Sequence, residues 1–564
     1  MATVRNRIVL AASLLVLGWS PCALALNPAL DVSQYAHTAW RVGEGVLPRP
    51  VVAIAQTPDG YLWLATEAGL LRFDGIRSVP WQPPSDQRLP SNRITWLLSA
   101  RDGTLWVGTD KGLASWKAGR LLQHTELAGR AISKVVEDHD GVIWTTAGNY
   151  ATNKWVLCSI RDHRVECYGE EGGPGAGAID IYEDTRGILW AGTIGASVER
   201  ANGLWRWKAG APKFYPLPPK VNGIQGLSED NNGALLVSWP GGVMRLSDAG
   251  EAVMRYPFPP SMLQVQPIRL LRDRDGGLWV GSLSKGLVHM HEGRRDAFAQ
   301  ADGLSGDAIW TLFEDREGDI WVATIGGLDR FHDVAAVTYS VKQGFSSSRI
   351  NSLLASRDGT IWAGTSDGLN KWDNGQATVF RKRGTGTPVS PEEGARTIHE
   401  TNSPELPSGD VESIFEDARG RVWFSTARGV GYFENGRFIS VPGLPGGITR
   451  AISTDQQSNT WVAHQELGLF RVPSYGADIA RIPWANLNHR DAPSAMTSDP
   501  SRDGLWLGFV GGGIVYLQNG KIESSYTTRD GLGDGQVRNL HFDHDGTLWA
   551  ATDGGLSRLK NGRV

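Results

Sequence analysis

Cysteine, runs of basic residues and long apolar stretches are what this sequence has least of. Three cysteines in 564 residues are too few for a disulfide-stapled scaffold or a four-cysteine zinc site. After residue 25 no stretch approaches the ~20 consecutive apolar residues that a membrane-spanning helix requires. Everything beyond that point is therefore expected on one side of a membrane. The net charge is −4, and −6 once Arg5 and Arg7 are set aside. A weakly acidic chain without basic runs argues against nucleic acid as a partner.

Glycine and tryptophan, by contrast, are abundant, at 70 and 23 residues. Many glycines mean many tight turns, and many indoles mean many large flat side chains needing a packed home. Together they point to an all-β repeat protein.

Residues 1–25 read as a signal peptide. Arg5 and Arg7 precede the apolar run IVLAASLLVLGW, and Ala23-Leu24-Ala25 supplies the small residues that signal peptidase requires. Cys22 is a poor lipidation site because Pro21 precedes it. Cleavage after Ala25 would deliver the chain to the periplasm or the exterior. Only Cys158 and Cys167 then remain. If Asp162-His163 is a two-residue hairpin loop, these cysteines fall directly opposite each other, and an oxidising compartment would favour a cross-strand disulfide. Two buried thiols or a metal site are the alternatives.

One phrase recurs along the chain. It reads DGYLWLATEAGLLRFD from Asp59, DGTLWVGTDKGLASWK from Asp102, EGDIWVATIGGLDRF from Glu317, DGTIWAGTSDGLNKW from Asp358 and DGTLWAATDGGLSRL from Asp545. Counting weaker copies there are twelve, aligned on Trp63, Trp106, Trp144, Trp190, Leu236, Trp279, Trp321, Trp362, Trp423, Trp461, Trp506 and Trp549. Their spacing, mostly 38 to 46 residues, is the length of a four-stranded propeller blade. Two residues after each aligned position, on the same strand face, stand Ala65, Gly108, Thr146, Gly192, Ser238, Gly281, Ala323, Gly364, Ser425, Ala463, Gly508 and Ala551, all small. A large ring beside a small neighbour suits blades that interdigitate at a fixed separation.

The D-x-x-G-x-[LIV]-W-x-[GA]-T-x-x-G-[LVI] phrase resembles the two-component regulator propeller repeat, over about residues 38 to 560. That resemblance implies a periplasmic sensor region of a hybrid histidine kinase or a diguanylate cyclase. The family typically builds two seven-bladed rings from fourteen repeats, followed by a membrane span and an output domain. Here twelve copies and no span or output domain are present, so the chain is expected to be a fragment, with a second ring of fewer blades as the alternative. The fold class is all-β, tandem β-propellers. A first ring of seven repeats would cover 31–332 and a second, incomplete or smaller, 333–564. TAWRVGEGVLPRPV (38–51) aligns with DAFAQADGLSGDAI (296–309) and SSYTTRDGLGDGQV (524–537). The chain thus begins on a fourth strand that could clasp the last blade of the first ring, as VTYS (337–340) would for the second.

Loops from all blades converge on the middle of a propeller face, where ligands usually bind. Alignment places Arg93, Arg349 and Asp410 in one column before the first strand, and Thr95, Trp310, Asn351, Glu412 and Arg538 two residues later. These residues vary in charge and size, unlike the tryptophan column. With Trp96 and Trp239 as further stacking platforms, the set is the candidate site for a small molecule or oligosaccharide. Ordinary solvated loop residues are the plainer reading. The Arg381–Gly409 insertion reads as a surface loop, a lid or simple decoration. No carboxylate cluster recurs at metal-binding spacing, and His464, His541 and His544 are isolated, so no metal or other cofactor is expected. No catalytic residue is assigned. A secreted propeller hydrolase or lyase is the alternative function, although no acid–base pair stands out. A homodimer would form through downstream regions.

Overall fold

The computed structural model describes residues 26–564 apart from 29, 153, 172, 194–202, 208–210, 218–223, 225, 240–241, 247–251, 258–266, 292–293, 335, 374–375, 382–398, 403–409, 475–477 and 488–490. The signal-peptide segment and most of the 381–409 insertion lie outside these residues. The chain is all-β. Twelve separate sheets follow one another, one per sequence repeat, and among the described residues the only helices are short 3-10 turns.

The chain divides into two compact units, Met1–Val337 and Thr338–Val564. The first holds seven four-stranded antiparallel sheets, here blades 1 to 7. Their first strands are Val51–Gln56, Ile94–Ser99, Ala131–Glu137, Ala178–Glu183, Gly226–Glu229, Pro267–Arg272 and Ile309–Glu314. Each packs against the first strand of the next blade, and that of blade 7 packs against that of blade 1. The circuit is therefore closed, with these strands around its axis. The fourth strand of blade 7 comes from the other end of the unit. Ala36–Arg41 runs antiparallel to Gly327–His332, with Thr38 opposite Arg330 and Trp40 opposite Leu328. Just before it, Leu26, Leu30, Val32 and Tyr35 share a core with Trp279 and Phe331.

The second unit holds blades 8 to 12, with first strands Ile350–Ala355, Val411–Glu416, Thr449–Thr454, Pro493–Ser498 and Val537–Phe542. Packing runs from each to the next, forming an arc. Residues 337–340, expected as a clasp strand, form no strand. Blade 12 accordingly keeps three strands. The physical reason is local: Tyr339 sits edge-on to Trp372 at 4.8 Å, and Ser340 caps a 3-10 turn by accepting the Lys342 amide. Both interactions hold the segment at blade 8. The insertion also does more than loop out, because its His399–Asn402 adds a fifth strand to blade 8, parallel to Gln376–Arg381.

The cores lie between blades. All the aligned tryptophans are buried except Trp549, which is half-buried. Burying one indole removes roughly 150–250 Å² from water, an upper bound of about 4–6 kcal/mol. The small column receives the next blade. A Cβ added at Gly108 would collide with Ile132, at Gly281 with Ile309, at Gly364 with Val411 and at Gly508 with Val537. Each of these four joints is thus a β-branched knob seated over a glycine.

The turn ahead of each tryptophan has its own logic. In blade 3, Gly141 adopts φ 80°, and its N–H donates to the Asp138 carbonyl at 3.0 Å. The Asp138 carboxylate accepts the Asp140 and Val142 amides on Oδ1 and the Trp144 indole N–H on Oδ2 at 2.8 Å. The same Asp–Trp bond recurs at Asp184–Trp190, Asp273–Trp279, Asp315–Trp321, Asp417–Trp423, Asp455–Trp461, Asp499–Trp506 and Asp543–Trp549. In blade 1 the hydroxyl of Thr57 replaces the carboxylate.

Candidate site around the axis of the first ring

Eleven of the twelve first strands carry a register shift near their start, for example between Ile94 and Trp96 and between Ala178 and Asp180, and Gly226–Glu229 of blade 5 pairs without one. Such a bulge inserts one residue and turns the next side chain to the opposite face. The residues directly opposite the small column are consequently Ala53, Trp96, Lys134, Asp180, Gly226, Arg269 and Thr311 in the first ring. In the second unit they are Ser352, Ser413, Ala451, Ala495 and Asn539. One position thus carries two cations, an anion and an indole in the first ring, and only small uncharged side chains in the second unit.

These first-ring side chains cross the joints between blades. Trp96 Nε1 donates to the Val135 carbonyl at 3.0 Å, and the Lys134 ammonium lies 5.6 Å from the Trp96 ring centre. Lys134 also pairs with Asp180 of blade 4. Arg269 donates from Nε to the Trp310 carbonyl at 2.7 Å and from Nη1 to the Ile268 carbonyl at 2.8 Å. Burial lowers the guanidinium pKa below its ordinary value, opposed by the charges of Asp180 and Tyr150. Tyr150 lies on the loop after the second strand of blade 3 and is 64% exposed. Asp110 Oδ1, Asp180 Oδ2 and Trp239 Nε1 are among the polar atoms of the first ring that are buried without a hydrogen-bond partner among the described residues.

A cavity of about 570 Å³ lies beside this position. It is lined by Ala53, Trp96 and Thr311 together with Asp-x-x-Gly turn residues such as Arg101, Arg274 and Arg316. Its rim is braced from blade to blade. The Arg101, Arg274 and Arg316 backbone amides donate to Glu137, Glu314 and Gln56 respectively, and the guanidinium groups of all three reach carbonyls of the next blade's turn.

The residues proposed from sequence fall into two groups, five in each unit. In the first, Arg93 is exposed and pairs with Glu67 at 3.1 Å. Thr95 Oγ1 donates to the Ile132 carbonyl at 2.6 Å. Trp96 and Trp310 are half-buried beside the charged position, and Trp239 ends the second strand of blade 5. In the second unit, Arg349 is exposed, Asn351 Nδ2 donates to the Val411 carbonyl at 3.2 Å, Asp410 and Glu412 are half-buried, and Arg538 pairs with Asp553 at 2.7 Å. Thr95 and Asn351 thus tie adjacent blades together. Lys134, Asp180 and Arg269 were missed. An alignment counted without the bulge reads the neighbouring column; counting back from the small residues would have exposed the charged one.

The chain matches the two component regulator propeller family model at residues 88–111, 303–326, 344–367 and 405–428. These matches fall on four of the twelve copies of the repeated phrase, those of Trp106, Trp321, Trp362 and Trp423. No curated protein matches its sequence. Among solved structures it is similar to the extracellular domain of a hybrid two-component system from B. thetaiotaomicron, at 18% identity and TM-score 0.68, covering 94% of this chain and 72% of that one. It also aligns with the extracellular domain of a one-component system from the same organism, at 18% identity, TM-score 0.44, and 94% and 72% coverage. A virginiamycin B lyase from Staphylococcus aureus aligns at 14% identity and TM-score 0.42, over 53% of this chain and all of that one. At such identities the first likeness establishes the propeller fold.

Proposed function

We propose that this chain is the ligand-binding sensor region of a two-component-type signalling protein and works outside the cytoplasm. The observation that carries the reading is the contrast between repeated positions. The tryptophan and small positions keep their packing character through the repeats, with Leu236 the one departure from tryptophan, whereas the first-ring position Trp96–Lys134–Asp180–Arg269 holds mixed charge and an aromatic ring, and its Trp96 lines the cavity. Chemistry that varies where packing does not demand it is the mark of a ligand site. The N-terminal signal sequence supports export. No helix among the described residues is long and apolar enough to cross a membrane.

In this reading ligand occupancy biases the sensor between two states, and an output domain across the membrane reads that bias. Ile350 of blade 8 and Leu556 of blade 12 are exposed, which fits further blades packed against them in a longer protein. Calorimetric screening of the purified chain against oligosaccharides and small metabolites, with product analysis of every hit, tests the proposal. Binding without chemical change is expected; turnover would replace the sensor reading with an enzymatic one.

A further inference from the structure

We infer that the joint between blades 4 and 5 binds an organic acid, an oxyanion carried on an apolar stem, at the guanidinium of Arg206. This place is separate from the charged position around the axis, and the inference does not depend on the sensor reading.

The repeat itself shows which side chain is out of keeping. Six third strands set an arginine directly opposite the aligned residue: Arg72, Arg206, Arg245, Arg330, Arg471 and Arg558. Four of them pair with a carboxylate of their own blade's turn, Arg72 with Asp59 at 2.8 Å, Arg245 with Asp230 at 2.9 Å, Arg330 with Asp319, and Arg471 with Asp455 at 3.9 Å. Arg558 is exposed at the open end of the arc. In blades 9 and 11 the turn supplies its own arginine, so that Arg421 takes Asp417 and Arg502 takes Asp499. The third strand there places Tyr432 and Tyr516 opposite the tryptophan, and each guanidinium lies over the phenol ring, at 4.8 and 4.1 Å. Blade 4 combines the two arrangements. Arg186 of its turn holds Asp184 through Nη2 at 2.9 Å, yet the strand still brings an arginine rather than a tyrosine. One carboxylate thus stands against two guanidinium groups. Arg206 makes no ion pair or hydrogen bond among the described residues, and its Nε is buried without a partner.

There is room for what is lacking. Arg206 and Arg186 line a cavity of about 270 Å³, and the other walls are Ile188, Trp190, Tyr215, Leu235 and Leu246. A buried donor of a cation left unmatched is costly. The planar guanidinium is matched best by a carboxylate or phosphate, two of whose oxygens fit its fork. The cavity is larger than a bare oxyanion, and its mostly apolar walls suit a ring or short chain attached to the acid group. A neutral sugar would leave the charge unmatched, and inorganic phosphate would leave the apolar walls wet.

Calorimetric titration of the mature chain with phenyl phosphate, benzoate, inorganic phosphate and benzyl alcohol tests the inference. Phenyl phosphate or benzoate should bind at least tenfold more tightly than both inorganic phosphate, which lacks the stem, and benzyl alcohol, which lacks the charge. The tighter of the two acids identifies a phosphate or a carboxylate head. Arg206→Tyr, which gives blade 4 the arrangement of blades 9 and 11, should weaken that binding at least tenfold with a melting temperature no lower than that of the unaltered chain. Arg206→Gln decides the matter if the tyrosine variant fails to fold. Arg558→Gln, which removes the exposed arginine at the same repeat position, should leave the affinity unchanged. Inorganic phosphate or benzyl alcohol binding as tightly as the two acids would overturn the inference. So would no saturable binding by either acid, an affinity that neither Arg206 variant alters, or an equal loss in Arg558→Gln.

Discussion

At the scale of single residues, the repeated Asp-x-x-Gly-x-x-Trp phrase is a stability device with two parts. The indole fills the joint between blades, and the aspartate holds both the turn amides and the indole N–H. Trp321, 2% exposed and bonded to Asp315, should therefore cost about 3–5 kcal/mol when changed to alanine; a melting temperature unmoved by Trp321→Ala would defeat this account. The aspartates add a pH dependence. Burial acts to raise the Asp417 pKa, but the Trp423 indole, the Arg421 amide and the Arg421 guanidinium outweigh it and hold the group below its ordinary value. Asp499 is lowered in the same way by Trp506, Ser501 and Arg502. A carboxylate with a depressed folded-state pKa contributes stability above its unfolded value of about 3.9, and loses that contribution as pH falls toward the folded value. Both residues lie in the second unit. Urea midpoints measured from pH 7 down to pH 3 should fall, and Asp417→Asn should lower the midpoint at pH 7 while making its decline toward acid shallower. Parallel curves for the two proteins would argue against the carboxylate as a source of the acid sensitivity.

At the scale of the element, what could be read in advance and what could not depends on which interactions repeat. The blade is legible because Trp321 or Trp423 recurs with a small residue two places on, and a period of 2 puts both on one face. The hairpin of blade 3 was legible too. Asp162 and His163 take φ 49° and 64°, the conformation a two-residue loop demands, and Cys158 pairs with Cys167 in register, their sulfurs bonded and Cα atoms 4.1 Å apart. Mass spectrometry of the exported protein should find these two cysteines resistant to alkylation until reduced. The bulge was not legible. Its extra residue is specified by the closure of the strand over its neighbour rather than by any residue type at Ile132 or Ala178, so the candidate site was read one residue out of register. The fate of 337–340 was hidden for a related reason. A clasp strand requires a partner blade beside it, which is a property of ring closure that local pattern does not encode.

At the scale of the whole molecule, the two units present blade joints in different states. In the first ring every knob is covered, from Val51 at 0% exposure through Ile309 at 0%, because blade 7 turns its face to blade 1. In the second unit Val411 is likewise 0% exposed, whereas its counterpart Ile350 is 38% exposed and Leu353 of the same strand 66%. At the other end of the arc Leu556 is 67% exposed. Chemically equivalent knobs thus differ only in whether a blade lies against them. Val411→Asp, which places an unpaired charge inside a joint, should unfold or severely destabilise the second unit. Ile350→Asp should change its stability by no more than about 0.5 kcal/mol, the ordinary range for a surface substitution. Thermal melts of the two variants of this chain decide the matter. If Ile350→Asp proves as damaging as Val411→Asp, the face of blade 8 is covered in solution and the second unit is a closed assembly; if it is silent, that face stands open to whatever blades or partners complete the sensor.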